Sequence, residues 1–317
     1  MSTDKVDPEI VAVMTRLGFT GASPEAVPTI EELRQGARDL KSAISPNPPI
    51  PVDSVYDDIV GGVPARVYRP SDAGSIPTVV FYHGGGFVQG GTDTHDSMCR
   101  RISRDVNAVV VSVDYRLAPE HPFPAAYEDS LAAARYVAAN PDTFGGGVFA
   151  VAGDSAGANL AASVAIDFRD EGIPVAAQLL AYPVVDASAG MGDYPSMEEN
   201  KDAFLLNSKD IALALQLYLN GDQTVGAVFP PSPLKAANHR GLASAVIGVA
   251  ENDGLRDQGL AYADLLTAAG VPVRKYEFEG LIHGFLGFDA VSTRADEAAA
   301  RLYSDFKELI AENTPAN

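Results

Sequence analysis

Five consecutive residues, Gly153-Asp154-Ser155-Ala156-Gly157, set a serine between two glycines, directly after the apolar run VFAVA (148–152) and directly before the helical run ANLAASVAI. A strand that turns sharply into a helix at such a serine raises its hydroxyl above the end of a sheet. The helix behind it then aims its free N–H groups at negative charge forming there. The chemistry this arrangement serves is nucleophilic acyl transfer, with Ser155 attacking a carbonyl carbon.

A second signal is His83-Gly84-Gly85-Gly86-Phe87, which follows the run TVVFY (78–82). Acyl transfer passes through a tetrahedral oxyanion that needs aimed donors, and consecutive glycines leave backbone N–H groups unobstructed. Gly85 and Gly86, with Ala156 after the serine, are the expected oxyanion hole. A phosphate-cradling loop is disfavoured because the G-x-x-x-x-G-K-[ST] pattern does not occur. His83 itself is expected to hydrogen-bond within its loop rather than to act as a base.

Acyl transfer from this kind of elbow needs a base and an orienting acid, in the chain order serine, acid, histidine. Of the five histidines, only His239 and His283 follow Ser155. His239 lies in the polar stretch KAANHRG, where a solvated ring is expected. His283 lies in EGLIHGF, after the strand-like VRKYEFE and before the last helical pattern, where the topology wants the base. The acid should sit on the loop after SAVIGVA (244–250), and Glu251, Asp253 and Asp257 are the candidates there. Asp253 is preferred because it has room to turn. Asp257 opens a helical pattern and suits a cap or dipole partner, Glu251 sits close to the strand, and both stay open as alternatives.

The elements that must carry these residues are legible as apolar runs. Strands are predicted at 63–69, 78–82, 108–113, 148–152, 176–182, 244–250 and 272–278, and helices at 124–139, 156–170, 257–269 and 292–312. Short β-branched runs alternating with amphipathic helices predict an α/β fold whose mostly parallel central sheet is flanked by helices on both faces. Ligands in such sheets bind at the carboxyl ends of the strands. Residues 184–235 break the alternation, with a helical stretch at 208–219 and no convincing strand, and are expected to form a helical cap insertion. Two helical patterns precede the sheet: Ile10, Val11, Met14 and Leu17 share one face, and Ile30, Leu33, Ala37, Leu40 and Ile44 another. Thr29 and Glu32 have capping-box spacing, and SPNPPIP (45–51) ends the second pattern. The expected division is N-terminal cap helices over 1–50, core over 51–183 and 236–317, and cap over 184–235.

The chain has 317 residues and a net charge of −19, which disfavours phosphate backbones and anionic lipid surfaces, so neither nucleic acid nor membrane is expected as a partner. Its one cysteine, Cys99, excludes an intrachain disulfide and a cysteine-based zinc site. The N-terminal stretch has no signal-peptide pattern, and no apolar run approaches the roughly 20 residues that span a bilayer. A cytoplasmic location is expected, and a homodimer is compatible with the sequence.

Taken together, HGGGF (83–87), DYRLAPEHPFPAA (114–126), GDSAG (153–157), SPL (232–234), DGLRD (253–257) and IHGF (282–285) resemble the hormone-sensitive-lipase-like branch of the α/β-hydrolases, the bacterial family IV carboxylesterases. The motifs span residues 83–285 in that family's order. The resemblance implies a catalytic triad of Ser155, Asp253 and His283 and an oxyanion hole of Gly85, Gly86 and Ala156. It further implies hydrolysis of short- to medium-chain carboxylic esters as small-molecule substrates, with no metal or organic cofactor. Gly254 departs from the family's D-P-L-R-D and is expected to loosen the loop that carries the acid. Asp114, Arg116 and Glu120 are expected to form a charge network near the oxyanion loop. An amidase or lactonase would use the same triad. A non-catalytic ligand-binding protein of this fold would be expected to lack the base, and a lyase to alter the glycine loop.

Overall fold

The computed structural model describes residues 5–18, 28–70 and 74–314. Its β-branched runs pair into one eight-stranded sheet of order β1-β2-β4-β3-β5-β6-β7-β8. The strands are β1 (Ser54–Val60), β2 (Val63–Arg69), β3 (Ile76–Tyr82), β4 (Val109–Val113), β5 (Gly146–Asp154), β6 (Ala177–Ala181), β7 (Ser244–Asn252) and β8 (Val273–Ile282). β2 is antiparallel to both its neighbours, and from β4 to β8 every pair is parallel.

Residue alternation along the central strands divides the core into two faces. Val80 and Tyr82 of β3 and Val109, Val111 and Val113 of β4 face a cluster with α4 (Ala125–Ala139), α5 (Ala156–Glu171) and α9 (Arg256–Ala268). Val79, Phe81 and Val110 face the other cluster, with α3 (Asp96–Ile102) and α10 (Thr293–Glu312). Burial on both faces is why these strands read as continuous apolar runs.

β1 was not predicted, for a physical reason. It is an edge strand, SVYDDIV, whose middle residues are exposed, so it carries no apolar signal. The short α3 also escaped the periodicity, because a single π-helical turn over Ser103–Asn107 follows it directly and shifts the register.

The two leading patterns form α1 (Pro8–Arg16) and α2 (Ile30–Ile44). In α1 the buried face is Ile10, Val13 and Met14, with Val11 only half-buried; Asp7 caps it and its N–H donates to Gly280 O. In α2 the Thr29–Glu32 capping box forms on both sides, while only Leu40 and Ile44 are fully buried. Between β6 and β7 lie α6 (Pro195–Glu199), α7 (Ser208–Tyr218) and α8 (Gln223–Gly226), without a strand among the described residues.

One consequence of this topology matters most for chemistry. Parallel registry brings Tyr82 opposite Gly153, Asp154 opposite Ala181 and Asn252 opposite Ile282. The loops that begin at His83, Ser155, Asp253 and His283 therefore all leave the sheet from the carboxyl ends of neighbouring parallel strands.

Candidate active site

Ser155 sits between β5 and α5 with φ +54° and ψ −119°, a conformation that costs a non-glycine residue on the order of 1–3 kcal/mol. Local bonds hold it there: its N–H donates to Ala181 O at 2.9 Å, and its C=O accepts from Asn159 and Val184. The flanking glycines serve close approach rather than positive φ. A β carbon on Gly157 would run into Tyr82 O and His83 O, and one on Gly153 into Gly157 O. Only glycine lets α5 begin this close to β3, and that closeness brings the serine beside the glycine loop.

His283 Nε2 lies 2.9 Å from Ser155 Oγ, and its Nδ1 lies 2.7 Å from Asp253 Oδ2. All three side chains are buried. The Tyr182 ring stands edge-on to the imidazole, with centroids 4.8 Å apart, and Asp253 Oδ1 accepts from Leu255 N at 2.9 Å. Nδ1–H therefore points to the carboxylate and leaves Nε2 free to take a proton from the serine, the tautomer a general base requires.

The other carboxylates go elsewhere. Glu251 belongs to β7 and accepts from Gly280 N at 2.9 Å. Asp257 lies in the first turn of α9 but does not cap it; its Oδ2 accepts from Ser196 N of α6 at 2.8 Å, and its Oδ1 from Arg256. Gly254 does not leave the loop loose. Its C=O accepts from Ser196 Oγ at 2.7 Å, and a β carbon there would sit 3.3 Å from both Ile211 Cδ1 and Met197 Sδ. α6 and α7 fix from outside what a proline would have fixed from within.

Two further expectations are corrected. His239 is buried, not solvated: Nε2 bonds Pro233 O at 2.9 Å and the ring stands edge-on to Tyr262. Asp114, Arg116 and Glu120 do not form one network. Arg116 pairs with Asp129 and Glu128, while Glu120 pairs with Arg34 of α2. The segment leaves β4 after Val113 and turns only at 118–120, so Arg116 and Glu120 meet different partners.

The glycine loop is held one peptide plane at a time. In the plane joining residues 83 and 84, His83 O accepts from Tyr115 Oη at 2.6 Å and Gly84 N–H donates to Asp154 Oδ1 at 2.7 Å. In the next plane, His83 Nδ1–H donates to Gly84 O at 2.8 Å; in the one after, Gly85 O accepts from Val88 N and Gln89 N. A trans peptide points its N–H opposite its C=O, so gripping the carbonyls of Gly84 and Gly85 sets the N–H directions of Gly85 and Gly86. Among the described residues nothing accepts from those two N–H groups or from Ala156 N–H. Gly85 (φ +123°) and Gly86 (φ +63°) occupy backbone regions that favour glycine.

His83 is fully buried and stacked on Tyr115, with ring centroids 4.2 Å apart. Burial, with His95 adding repulsion, pushes its pKa down to about 3, so it is a neutral donor to the loop. Tyr115, Tyr182 and His95 are the supporting residues that sequence reasoning missed. Tyr115 lies two residues past the loop-side end of β4.

A nucleophilic serine hydrogen-bonded to a carboxylate-oriented histidine, on an elbow at the strand ends of such a sheet, defines a serine hydrolase. The sequence profile of the alpha/beta hydrolase fold family matches residues 79–287, and the chain belongs to that family. It is 41% identical over 303 residues to Esterase LipI of Mycobacterium tuberculosis, covering 93% of this chain and 92% of that one. It is 40% identical to Carboxylesterase NlhH of the same organism, covering 96% of each. Among solved structures, a hyperthermophilic esterase from the archaeon Pyrobaculum calidifontis superposes with a TM-score of 0.88 at 36% identity, covering 96% of this chain and 98% of that one. The chain is a serine ester hydrolase.

Proposed function

We propose that this protein is a carboxylesterase of the hormone-sensitive-lipase-like branch, acting on small esters with short to medium acyl chains. The observation that carries the reading is the unbroken chain Ser155 Oγ, His283 Nε2 and Nδ1, Asp253 Oδ2. His283 takes the proton from Ser155 as its oxygen attacks the ester carbonyl, while Asp253 holds the imidazole and stabilises its cation. The N–H groups of Gly85, Gly86 and Ala156 receive the oxyanion. His283 then protonates the leaving alkoxide, and the acyl group remains on Ser155. A water activated by the same histidine repeats the attack, releasing the acid and restoring the serine.

In this reading residues 1–50, of which 5–18 and 28–50 are described, and residues 184–235 act as a cap. In its support, Leu205, Ala214 and Ile211 lie against Gly284, Gly86 and Gly254 of the three site loops, and Arg34 of α2 donates to Val88 O beside the oxyanion loop. Apolar side chains over a polar triad suit an acyl or alkyl group rather than a charged substrate. A reducing, cytoplasmic setting suits the free, buried Cys99, and the net charge of −19 argues against nucleic acid or anionic membranes as partners.

The test is a panel of p-nitrophenyl esters from acetate upward, set beside matched amides and lactones. Turnover of the esters with little on the amides or lactones is expected. Faster amide or lactone turnover would move the protein to another acyl hydrolase class.

A further inference from the structure

Asp154 is adjacent to the nucleophile yet takes no part in the proton transfers. Its carboxylate is almost fully buried and reaches beneath the loop after β3. A β carbon on Gly84 would fall 2.5 Å from Asp154 Oδ2 and 3.0 Å from its Cγ. Gly84 has no positive φ, so glycine is required there to let the carboxylate in.

The oxygen that accepts from Gly84 N–H, Asp154 Oδ1, also meets His95 Nε2 at 3.3 Å, and Thr94 Oγ1 lies 2.9 Å from His95 Nδ1. His95 occupies the N-cap position of α3 but makes no capping bond with its side chain. Instead it turns inward, between the rings of Phe81 and His83. Lys41 reaches in from α2, with its Nζ against Gly287. Burial alone would raise the pKa of Asp154. The charge and hydrogen bond of His95, the charge of Lys41 and the Gly84 N–H outweigh burial and hold the pKa down to about 2. The group is an anion at neutral pH.

Buried ion pairs are often no more stabilising than apolar packing of the same volume. The consequence of this one therefore lies in what it grips. We propose that Asp154 is a positioning residue of the oxyanion loop: held by His95, it fixes the Gly84 N–H and so anchors the first peptide plane of the loop from which Gly85 and Gly86 offer theirs. This inference rests on the assignment of Gly85 and Gly86 as oxyanion donors.

The experiment compares Asp154→Ala, Asp154→Asn and His95→Phe with the wild type. It reads kcat and KM on p-nitrophenyl butyrate, the inhibition constant of an alkyl trifluoromethyl ketone whose adduct places an oxyanion in the hole, and the melting temperature. Asp154→Ala is expected to lower kcat about 100-fold with KM within about twofold, and to weaken the ketone by a similar factor. Asp154→Asn keeps an oxygen for Gly84 N–H and should recover most of that loss. His95→Phe keeps the ring packing but frees the carboxylate, and should lose about tenfold in kcat and in ketone affinity together. Should Asp154→Ala fail to fold, His95→Phe decides alone. A loss confined to KM or to melting temperature, or a His95→Phe enzyme with wild-type kcat and ketone affinity, overturns the proposal. Labelling of the wild type by a fluorophosphonate separates the two levels. An unlabelled Ser155 sinks the serine-esterase reading itself, whereas a labelled Ser155 with indifferent Asp154 and His95 variants sinks only this inference.

Discussion

Ser155 Oγ and His283 Nε2 stand 2.9 Å apart although 128 residues separate them in sequence. No local preference brings them together; the parallel registry of β5 through β8 does. Ser155→Ala removes the nucleophile and little else, because the side chain makes no capping bond to α5. A loss of at least about 10⁴-fold in turnover is expected with an unchanged melting temperature. A fluorophosphonate should label Ser155, as read by mass spectrometry of the intact protein and its peptides. Labelling at another serine would refute the assignment.

The two aspartates of the DGLRD segment separate cleanly. Asp253→Asn keeps the shape but offers His283 Nδ1 the wrong partner, and template triads lose about 10⁴-fold in turnover that way. Asp257→Ala instead gives up the bonds from Ser196 N and Arg256. It should cost about 1 kcal/mol of stability and leave kcat within a few-fold. Turnover and denaturant unfolding of both variants decide the matter; a catalytic collapse in Asp257→Ala alone would reverse the assignment.

How much of this was legible in the sequence follows from where burial leaves a signature. Strands buried on both faces, such as TVVFY and AVVVSV, announced themselves, and so did the serine elbow between VFAVA and α5. β1 did not, because an exposed edge can carry Asp57 and Asp58. His239 misled because its neighbours are polar while its own ring turns under Tyr262. The roles of Tyr115, His95 and Lys41 were illegible for a different reason. Each acts through a contact with a residue distant in sequence, and neither residue type nor spacing encodes such a partner.

Gly157 tests the close approach of α5 to β3. Its β-carbon position is already occupied by Tyr82 O, a backbone atom of a central strand that cannot swing aside. Gly157→Ala should cost about 3 kcal/mol or more and lower kcat by displacing Ser155. Gly172→Ala is the control for glycine loss in itself, since its surroundings are open and only its positive φ is strained. It should cost about 1 kcal/mol with kcat unchanged. Equal effects of the two substitutions on kcat would remove the close-approach argument.

Acid titrates the groups that hold the glycine loop. His83 has a folded pKa of about 3, held down first by burial and then by His95, whereas an imidazole in the unfolded chain titrates near 6.5. Between these values the unfolded chain binds a proton that the folded protein refuses. The contribution of His83 is therefore complete above about pH 6.5 and declines as pH falls, by about 1.4 kcal/mol per pH unit. Asp154 acts lower down. Its carboxylate goes from 3.8 to about 2 on folding, so its contribution is complete above about pH 4 and is lost as pH falls toward 2. Urea unfolding of the wild type at pH 7, 6 and 5 should thus show falling stability well before the carboxylates protonate. His83→Asn keeps an amide donor for Gly84 O and lacks the titration. Its stability at pH 7 should be lower than that of the wild type, but its decline from pH 6.5 to 5 should be shallower by about one proton's worth. A variant that declines as steeply as the wild type would mean that His83 is protonated inside the folded protein. The neutral Nδ1 donor holding the Gly84–Gly85 peptide would then have to be given up.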